Sequence, residues 1–376
     1  MTSRGPVSAH VNLLWCAHGR VGGSEEYLVR QLAGLSLVEP GADEPLINCT
    51  LHLGRALADA RNELRSMHQV VASLNVDRRS TRMLGEHTAL VRSTRGADLV
   101  HHGGGTLPLI RPAVPTVLTI HDLQYLRFPE YFSTARLRYL RAMMPRSAKA
   151  ATVVVTPTAH VADDVANAFG ITREKIFVVP HGVPALSADR MESEQQRSQI
   201  GGDGPMIVYP AITHPHKGHL KLIEAVTNFL PEARLVLIGG VGAAEDDVLA
   251  AINAAPHSQQ IMRLGRVPDG VRNALIAAAD VVAIPSEEEG FGAPVIEAMV
   301  LGTPVVCSQI PALVEVAGDA AVLVENDPSS IAKGIQTAIS TGDRYRELGR
   351  IRANDFTLEA SGQALRQAYL RAVGHS

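Results

Sequence analysis

Cysteine is scarce in this chain of 376 residues: Cys16, Cys49 and Cys307 are widely spaced and odd in number. That argues against a disulfide framework and for a reducing compartment. Aromatic residues are 4% of the sequence against 46% hydrophobic residues overall, so any core is mostly aliphatic. No apolar run reaches the length of a membrane span. The polar start Met1-Thr2-Ser3-Arg4-Gly5-Pro6 lacks the apolar centre of a signal peptide. The expectation is a cytoplasmic protein, with contact to the inner face of a membrane through an amphipathic helix left open. A net charge of −3 gives no electrostatic footprint for a nucleic-acid partner. No internal repeat is apparent.

What the chain does have is a rhythm of apolar, β-branched runs alternating with helical patterns. Candidate strands fall at 11–15, 98–101, 116–121, 152–156, 176–180, 206–210, 234–239, 261–265, 281–285, 304–307 and 320–324. Continuous rather than alternating apolar strands are buried on both faces, which indicates parallel sheets flanked by helices. The length exceeds what a single core usually serves, so two domains are expected. The rhythm breaks at a polar stretch midway along the chain. The fold class expected is α/β with two doubly wound Rossmann-like domains. We place an N-terminal domain at 1–184, a linker at 185–204, a C-terminal domain at 205–355, and a helix at 356–376 packing back towards the first domain. Ligands of such folds bind beyond the C-terminal ends of the strands, so the loops there hold the chemistry.

The most informative of these loops follows the strand at 281–285. Glu289-Gly290-Phe291-Gly292-Ala293-Pro294-Val295-Ile296-Glu297 places one carboxylate in a glycine loop and a second about a turn inside the next helix. Glycines allow close backbone approach, and a helix start offers N–H groups to a phosphate. In the loop after 206–210, Lys217 of Pro215-His216-Lys217-Gly218 stands at a helix start, where it can neutralise a bound anion without a metal. His214, His216 and His219 form a metal pattern only if two loop histidines and a helical one converge with no carboxylate or cysteine nearby, and no metal is expected. Gly22-Gly23 opens a helix, with Ser24 as its N-cap, but lacks the Gly-x-Gly-x-x-Gly spacing of a dinucleotide site. His121-Asp122 ends the strand at 116–121, where an imidazole can hydrogen-bond a ligand. Gly239-Gly240-Val241-Gly242, Arg266-Val267 and Ser308-Gln309 close other strands.

The 289–297 segment resembles the Glu-x7-Glu signature of the family 4 glycosyltransferases, retaining enzymes of the GT-B fold, and Gly302-Thr303-Pro304-Val305-Val306 continues the likeness. The Pro-x-Lys-Gly turn, the His-Asp strand end and the Gly-Gly loop follow in family order. The resemblance implies two domains facing across a cleft. It implies Glu289 on the donor hexose, helped by Gly290, Phe291 and Gly292, and amides near Pro294 and Val295 on the diphosphate with Lys217. Glu297 would hold the ribose hydroxyls, and the backbone at Val267 the base. Gly22 and Gly23 would lie beneath the donor, and His121 and Asp122 towards transferred sugar and acceptor. His181 would occupy the hinge turn. Many members carry an arginine where Ala211 stands, so Arg266 and Arg20 are candidates to replace it. No Asp-x-Asp is present, which argues against a metal-bound diphosphate. The activity implied is transfer of a mannose- or glucose-type hexosyl group from a UDP- or GDP-sugar to an acceptor hydroxyl on a sugar, lipid-linked glycan or metabolite, with no cofactor. A nucleotide-sugar 2-epimerase of the same fold, and a non-catalytic nucleotide-binding module, are the alternatives.

Overall fold

The computed structural model describes residues 5–374 apart from 20, 21, 43, 74, 75, 77–80, 83, 84, 87, 111 and 112. The chain divides into two units, Met1–Gly182 with Thr357–Ser376, and Val183–Phe356.

The first unit is a parallel sheet of β1 (Val7–Asn12), β2 (Ile47–Leu53), β3 (His68–Val71), β4 (Leu99–His102), β5 (Thr116–Thr119), β6 (Val153–Thr156) and β7 (Ile176–Val178). The strand order is β3-β2-β1-β4-β5-β6-β7. One face buries Val7, Ala9, Val11, Leu51 and Leu53 under α1 (Gly23–Leu37). The other face is apolar where α2 (Thr134–Ala150) and α3 (Ala159–Phe169) cover Leu118 and Val154. Over β1 and β2 it turns polar, with Ser8, His10 and Asn12 beside Asn48, Thr50 and His52. This polar face explains two departures from the sequence reading. β2 alternates rather than running apolar, and β1 lies at 7–12 rather than 11–15.

The second unit is a parallel sheet of β8 (Met206–Pro210), β9 (Arg234–Ile238), β10 (Ile261–Gly265), β11 (Val281–Ile284), β12 (Val305–Ser308) and β13 (Val322–Val324). Its order is β10-β9-β8-β11-β12-β13. The helices are α4 (Arg190–Ile200), α5 (His219–Phe229), α6 (Glu245–Ala254), α7 (Asp269–Ala278), α8 (Ala293–Val300), α9 (Pro311–Ala317), α10 (Pro328–Ser340) and α11 (Gly342–Ala353). The stretch read as a linker therefore contains a helix. Asp189 caps α4 by accepting from Glu192 N at 2.9 Å. Arg197 ties the helix down through Asp280 at 2.8 Å and the Ala278 carbonyl at 2.7 Å. Only Ile200 of α4 is buried, so no apolar period marked it in the sequence.

The chain then returns to the first unit as α12 (Leu358–Ala372), whose Leu365, Ala368 and Tyr369 join the core under β1. Glycines let α12 and α1 meet backbone to backbone. A Cβ on Gly34 would lie 1.9 Å from the Leu358 carbonyl oxygen, and one on Gly362 would lie 2.2 Å from the Gly34 carbonyl carbon. Arg366 is buried on the same helix, donating to Glu44 at 3.0 Å and to the Pro45 carbonyl at 2.7 Å.

Both strand orders reverse direction once. In the second unit the chain leaves β8 for β9 and β10 on one side and returns to β11 on the other. The loops after β8 and β11 therefore separate, opening the crevice that such sheets use for ligands.

Candidate active site

Those two loops carry Lys217 and Glu289. Lys217 Nζ donates to Glu289 Oε1 at 2.7 Å, and Ser286 Oγ donates to the same oxygen at 2.8 Å. Both partners are largely enclosed, with side-chain exposures of 18% and 13%. Lys217 is held from behind. Tyr209, at the end of β8, donates its hydroxyl to the Lys217 carbonyl at 2.7 Å. Burial, then the charge of Glu289, raises the Tyr209 phenol well above its usual range, so it stays a donor. Gly218, at φ +71°, lets this turn lie against β11: a Cβ there would be 2.1 Å from the Pro285 carbonyl oxygen. Glu287 N donates to the His216 carbonyl at 2.7 Å, and Lys221 pairs with Glu287 at 2.7 Å, closing the two loops together.

The glycine loop is anchored by its aromatic residue. Phe291 is 4% exposed and packs edge-on against Phe356 at 5.4 Å. Gly292 takes φ +88°, and a Cβ there would come within 2.3 Å of Leu313. It serves as N-cap of α8, and Pro294 falls in the first turn. The donors at this helix start differ from those expected. Pro294 has no N–H, and the Val295 N–H is bonded to the Gly292 carbonyl at 2.9 Å. Gly292 and Ala293 are thus the amides available to an anion. Glu297, 6% exposed, follows one turn later on α8.

The loops after β9 and β10 buttress the Lys217 turn. Glu245, at the start of α6, accepts from Thr213 Oγ1 at 2.5 Å and from Arg263 at 3.0 Å. Arg263 also donates to the Gly240 carbonyl at 3.1 Å. Arg266 is exposed in the loop after β10, with its guanidinium 3.8 Å from where a Cβ on Gly240 would sit. Val267 stands half-buried beside it. Ser308 is buried at the end of β12, and Gln309 N donates to the Val324 carbonyl at 2.8 Å. The three histidines diverge. His214 stacks on His216 at 5.7 Å, whereas His219 packs against Tyr209 at 4.7 Å. Burial, then Lys217, pushes His216 down to about 3, and burial holds His219 at about 4. Among the described residues, no group of three or more His, Cys, Asp or Glu could hold a metal.

In the first unit, His121 ends β5 beside the loop after β4. Its Nε2 donates to the Gly103 carbonyl at 2.9 Å, and its ring lies 5.2 Å from Tyr27 and 5.8 Å from Trp15. Burial lowers its pKa, so the ring is neutral and Nδ1 is its acceptor. Gly103 sets this tautomer; the Asp122 carboxylate instead accepts from Gln124 N at 3.1 Å. His181 packs on Tyr27 at 4.9 Å. Gly22, not Ser24, is the N-cap of α1, at φ 63°, and neither it nor Gly23 is crowded. The first turn is occupied by acids. Glu25 accepts from Arg61 at 2.8 Å and from His18 at 2.7 Å, and Glu26 pairs with Arg30 at 2.7 Å. Arg20 lies outside the described residues. Tyr209, Ser286 and Gly103 were not singled out in the sequence. The Gly103-Gly104-Gly105 run was a signal for the last, whereas nothing local marked the other two.

The family description "Glycosyltransferase Family 4" matches residues 39–185, and "Glycosyl transferases group 1" matches residues 190–354. The chain belongs to the family 4 glycosyltransferases. Among curated relatives, this glycosyltransferase is similar to O-antigen chain mannosyltransferase B of Escherichia coli, at 29% identity over 68% of either chain. It is also similar to D-inositol 3-phosphate glycosyltransferase of Xylanimonas cellulosilytica, at 28% identity over 60% of this chain and 58% of the relative. In fold, it resembles sucrose-phosphate synthase of Thermosynechococcus elongatus, with a TM-score of 0.77 at 17% identity, covering 99% of this chain and 100% of that one. It also resembles Anabaena HepE, solved in complex with UDP and glucose, with a TM-score of 0.74 at 20% identity, covering 96% and 98%. No helix among the described residues is long and apolar enough to cross a membrane.

Proposed function

We propose that this glycosyltransferase moves a mannose- or glucose-type hexosyl group from a nucleoside-diphosphate sugar to an acceptor hydroxyl, with retention at the anomeric carbon and without a metal. The observation that carries the reading is the Lys217–Glu289 pair at the reversal point of the second sheet, beside the start of α8. A diphosphate seated on the Gly292 and Ala293 amides lies within reach of a lysine that can leave Glu289 for it. Developing charge on the leaving phosphate then meets a fixed cation. Glu289, relieved of Lys217, accepts from hexose hydroxyls, and Glu297 accepts from the ribose diol. Arg266, exposed in the neighbouring loop, supplies a second positive charge towards the phosphates. The leaving phosphate oxygen takes the acceptor proton on the same face of the sugar, so no protein nucleophile is required. The base rests on backbone near Val267. The first unit we assign to the acceptor, with the neutral His121 offering Nδ1 to a hydroxyl and Asp122 beside it.

Incubation with UDP-glucose or GDP-mannose and a panel of sugar and lipid-linked acceptors tests this, with the anomeric configuration of the product read by NMR. A glycoside of retained configuration is the expected product. An epimerised nucleotide sugar would replace the transfer reading with epimerase chemistry, and binding without turnover would reduce it to a nucleotide-binding module.

A further inference from the structure

Trp15 is the single tryptophan of a chain with 4% aromatic residues, and it lies in the loop that follows β1. Its indole rests on backbone. A Cβ on Gly104 would lie 2.9 Å from the Trp15 Cγ, and one on Gly103 would lie 3.0 Å from its Nε1. Two glycines after β4 are therefore matched to one ring after β1, and a side chain at either would displace the ring. The loop itself is held at several points. Cys16 N donates to the Leu13 carbonyl at 3.0 Å, and the Trp15 carbonyl accepts from Ala17 N at 3.1 Å and from Arg82 at 3.3 Å.

Packing alone does not account for an indole at this position. A buried tryptophan usually gives its N–H to an acceptor, as Tyr27 here gives its hydroxyl to the Val179 carbonyl at 2.6 Å. The enclosed Trp15 Nε1 has no hydrogen-bond partner among the described residues. An aliphatic side chain would fill the same space without an unpaired donor. What the indole adds is a flat, electron-rich face. Trp15 is half-buried, and so are His121, whose ring lies 5.8 Å away, and Asp122 next to it. A pyranose gathers C–H bonds on its face and hydroxyls around its rim. The C–H bonds pack on the indole, while the hydroxyls donate to His121 Nδ1 and to the Asp122 carboxylate. An alkyl alcohol has one hydroxyl and would leave most of those acceptors unmet. An anionic group would be repelled by Asp122.

We propose that Trp15 determines acceptor specificity: its indole takes the C–H face of a pyranose while His121 and Asp122 take the hydroxyls at its edge, so the acceptor group is a sugar ring and not an alkyl alcohol. This rests on the assignment of the first unit to the acceptor. Because the chain has one tryptophan, its emission reports this place alone. The full chain is titrated with methyl α-mannopyranoside, methyl α-glucopyranoside and 1-hexanol. A saturable change in emission with a methyl glycoside, and none with hexanol, is expected. In transfer from UDP-glucose or GDP-mannose, Trp15→Ala should raise the acceptor KM about tenfold with a much smaller change in kcat, and Trp15→Phe should restore most of the loss. Gly104→Ala moves the indole without touching the acceptor, so it should raise the same KM and shift the emission of the free protein. Unaltered thermal melts and nucleotide affinity would show that the variants are folded. Should Trp15→Ala fail to fold, Trp15→Phe and Gly104→Ala carry the test. Hexanol acting on the emission as the glycosides do would overturn the proposal. Transfer to sugars at wild-type KM in the variants would overturn it too, while leaving the transfer reading intact. A saturable glycoside effect on the emission with no transfer to any acceptor would support the sugar site and sink the transfer reading instead.

Discussion

Lys217 and Glu289 are 72 residues apart in sequence and meet at 2.7 Å, so the cation we propose for a phosphate is held by a carboxylate. The pair fixes the orientation of an enclosed lysine. On the reading proposed above, diphosphate and Glu289 compete for Lys217. Glu289→Gln should therefore raise affinity for free nucleoside diphosphate by about tenfold, the scale of one charge-assisted hydrogen bond, while turnover falls. Lys217→Ala should weaken the same binding and lower turnover roughly 10²–10³-fold. Calorimetric titration and initial rates on both variants check this. Unchanged binding in Glu289→Gln with near wild-type turnover in Lys217→Ala would make the pair a structural strut.

Glu297 tests the proposed division between sugar and nucleotide recognition. If its carboxylate holds the ribose diol, a ribonucleoside diphosphate should bind more tightly than its 2′-deoxy analogue by roughly 10- to 150-fold, one hydrogen bond to a charged group. Glu297→Ala should weaken binding and erase most of that difference. Paired titrations on wild type and variant decide it, and equal affinities in wild type would leave Glu297 without its ribose.

Chelation gives a separate test. The phosphate site proposed here consists of Lys217, Arg266 and the start of α8, so turnover should be the same with and without EDTA. Loss of activity on chelation, restored by manganese or magnesium, would mean that a divalent cation does the work assigned to Lys217.

Much of this was legible in the sequence for one reason: in a doubly wound sheet, buried strands read as apolar runs and the chemistry sits where they stop. Of the second sheet's strands, 206–210 and 261–265 coincide with β8 and β10, and Lys217, Glu289 and Glu297 lie in or just beyond the loops that follow β8 and β11. Pairing was not legible. That Lys217 meets Glu289 depends on β8 and β11 being neighbours, which only the strand order sets. Tyr209 and Ser286 escaped for the same reason, since a tyrosine in a strand and a serine in an acidic loop carry no local mark. β2 was missed because its residues alternate between apolar and polar, β3 because it opens on His68 and Gln69, and α4 because its ties to Asp280 and Ala278 are polar. The bond from the Val295 N–H to the Gly292 carbonyl was not legible either, and it is why the proposed phosphate site uses the Gly292 and Ala293 amides.

The buried histidines give the protein a pH dependence of definite sign. Burial, with His102 and His121 beside it, pushes His101 down to about 3. Its ring nitrogens lie 2.7 Å from Thr119 Oγ1 and 2.8 Å from the Tyr369 hydroxyl, a pairing that a neutral ring completes as one donor and one acceptor. Burial likewise holds His102 at about 4 and His181 at about 3. In the unfolded chain each returns to about 6.5. Above that value both states are neutral at these positions and stability is independent of pH through them. Below it the unfolded chain takes up protons that the folded chain refuses, so stability falls as pH falls, by up to about 1.4 kcal/mol per pH unit for each histidine. Carboxylates titrate lower, which leaves the interval from about 6.5 to about 5 to the histidines. Urea unfolding of the whole chain at pH 7.5, 6.5 and 5.5 should show a plateau followed by a decline. His101→Gln, which keeps one donor and one acceptor but cannot titrate, should make that decline shallower. A stability that stays level down to about pH 5.5 would mean that these imidazoles are protonated inside the fold, and the neutral state assigned to His101 and His121 would fall with it.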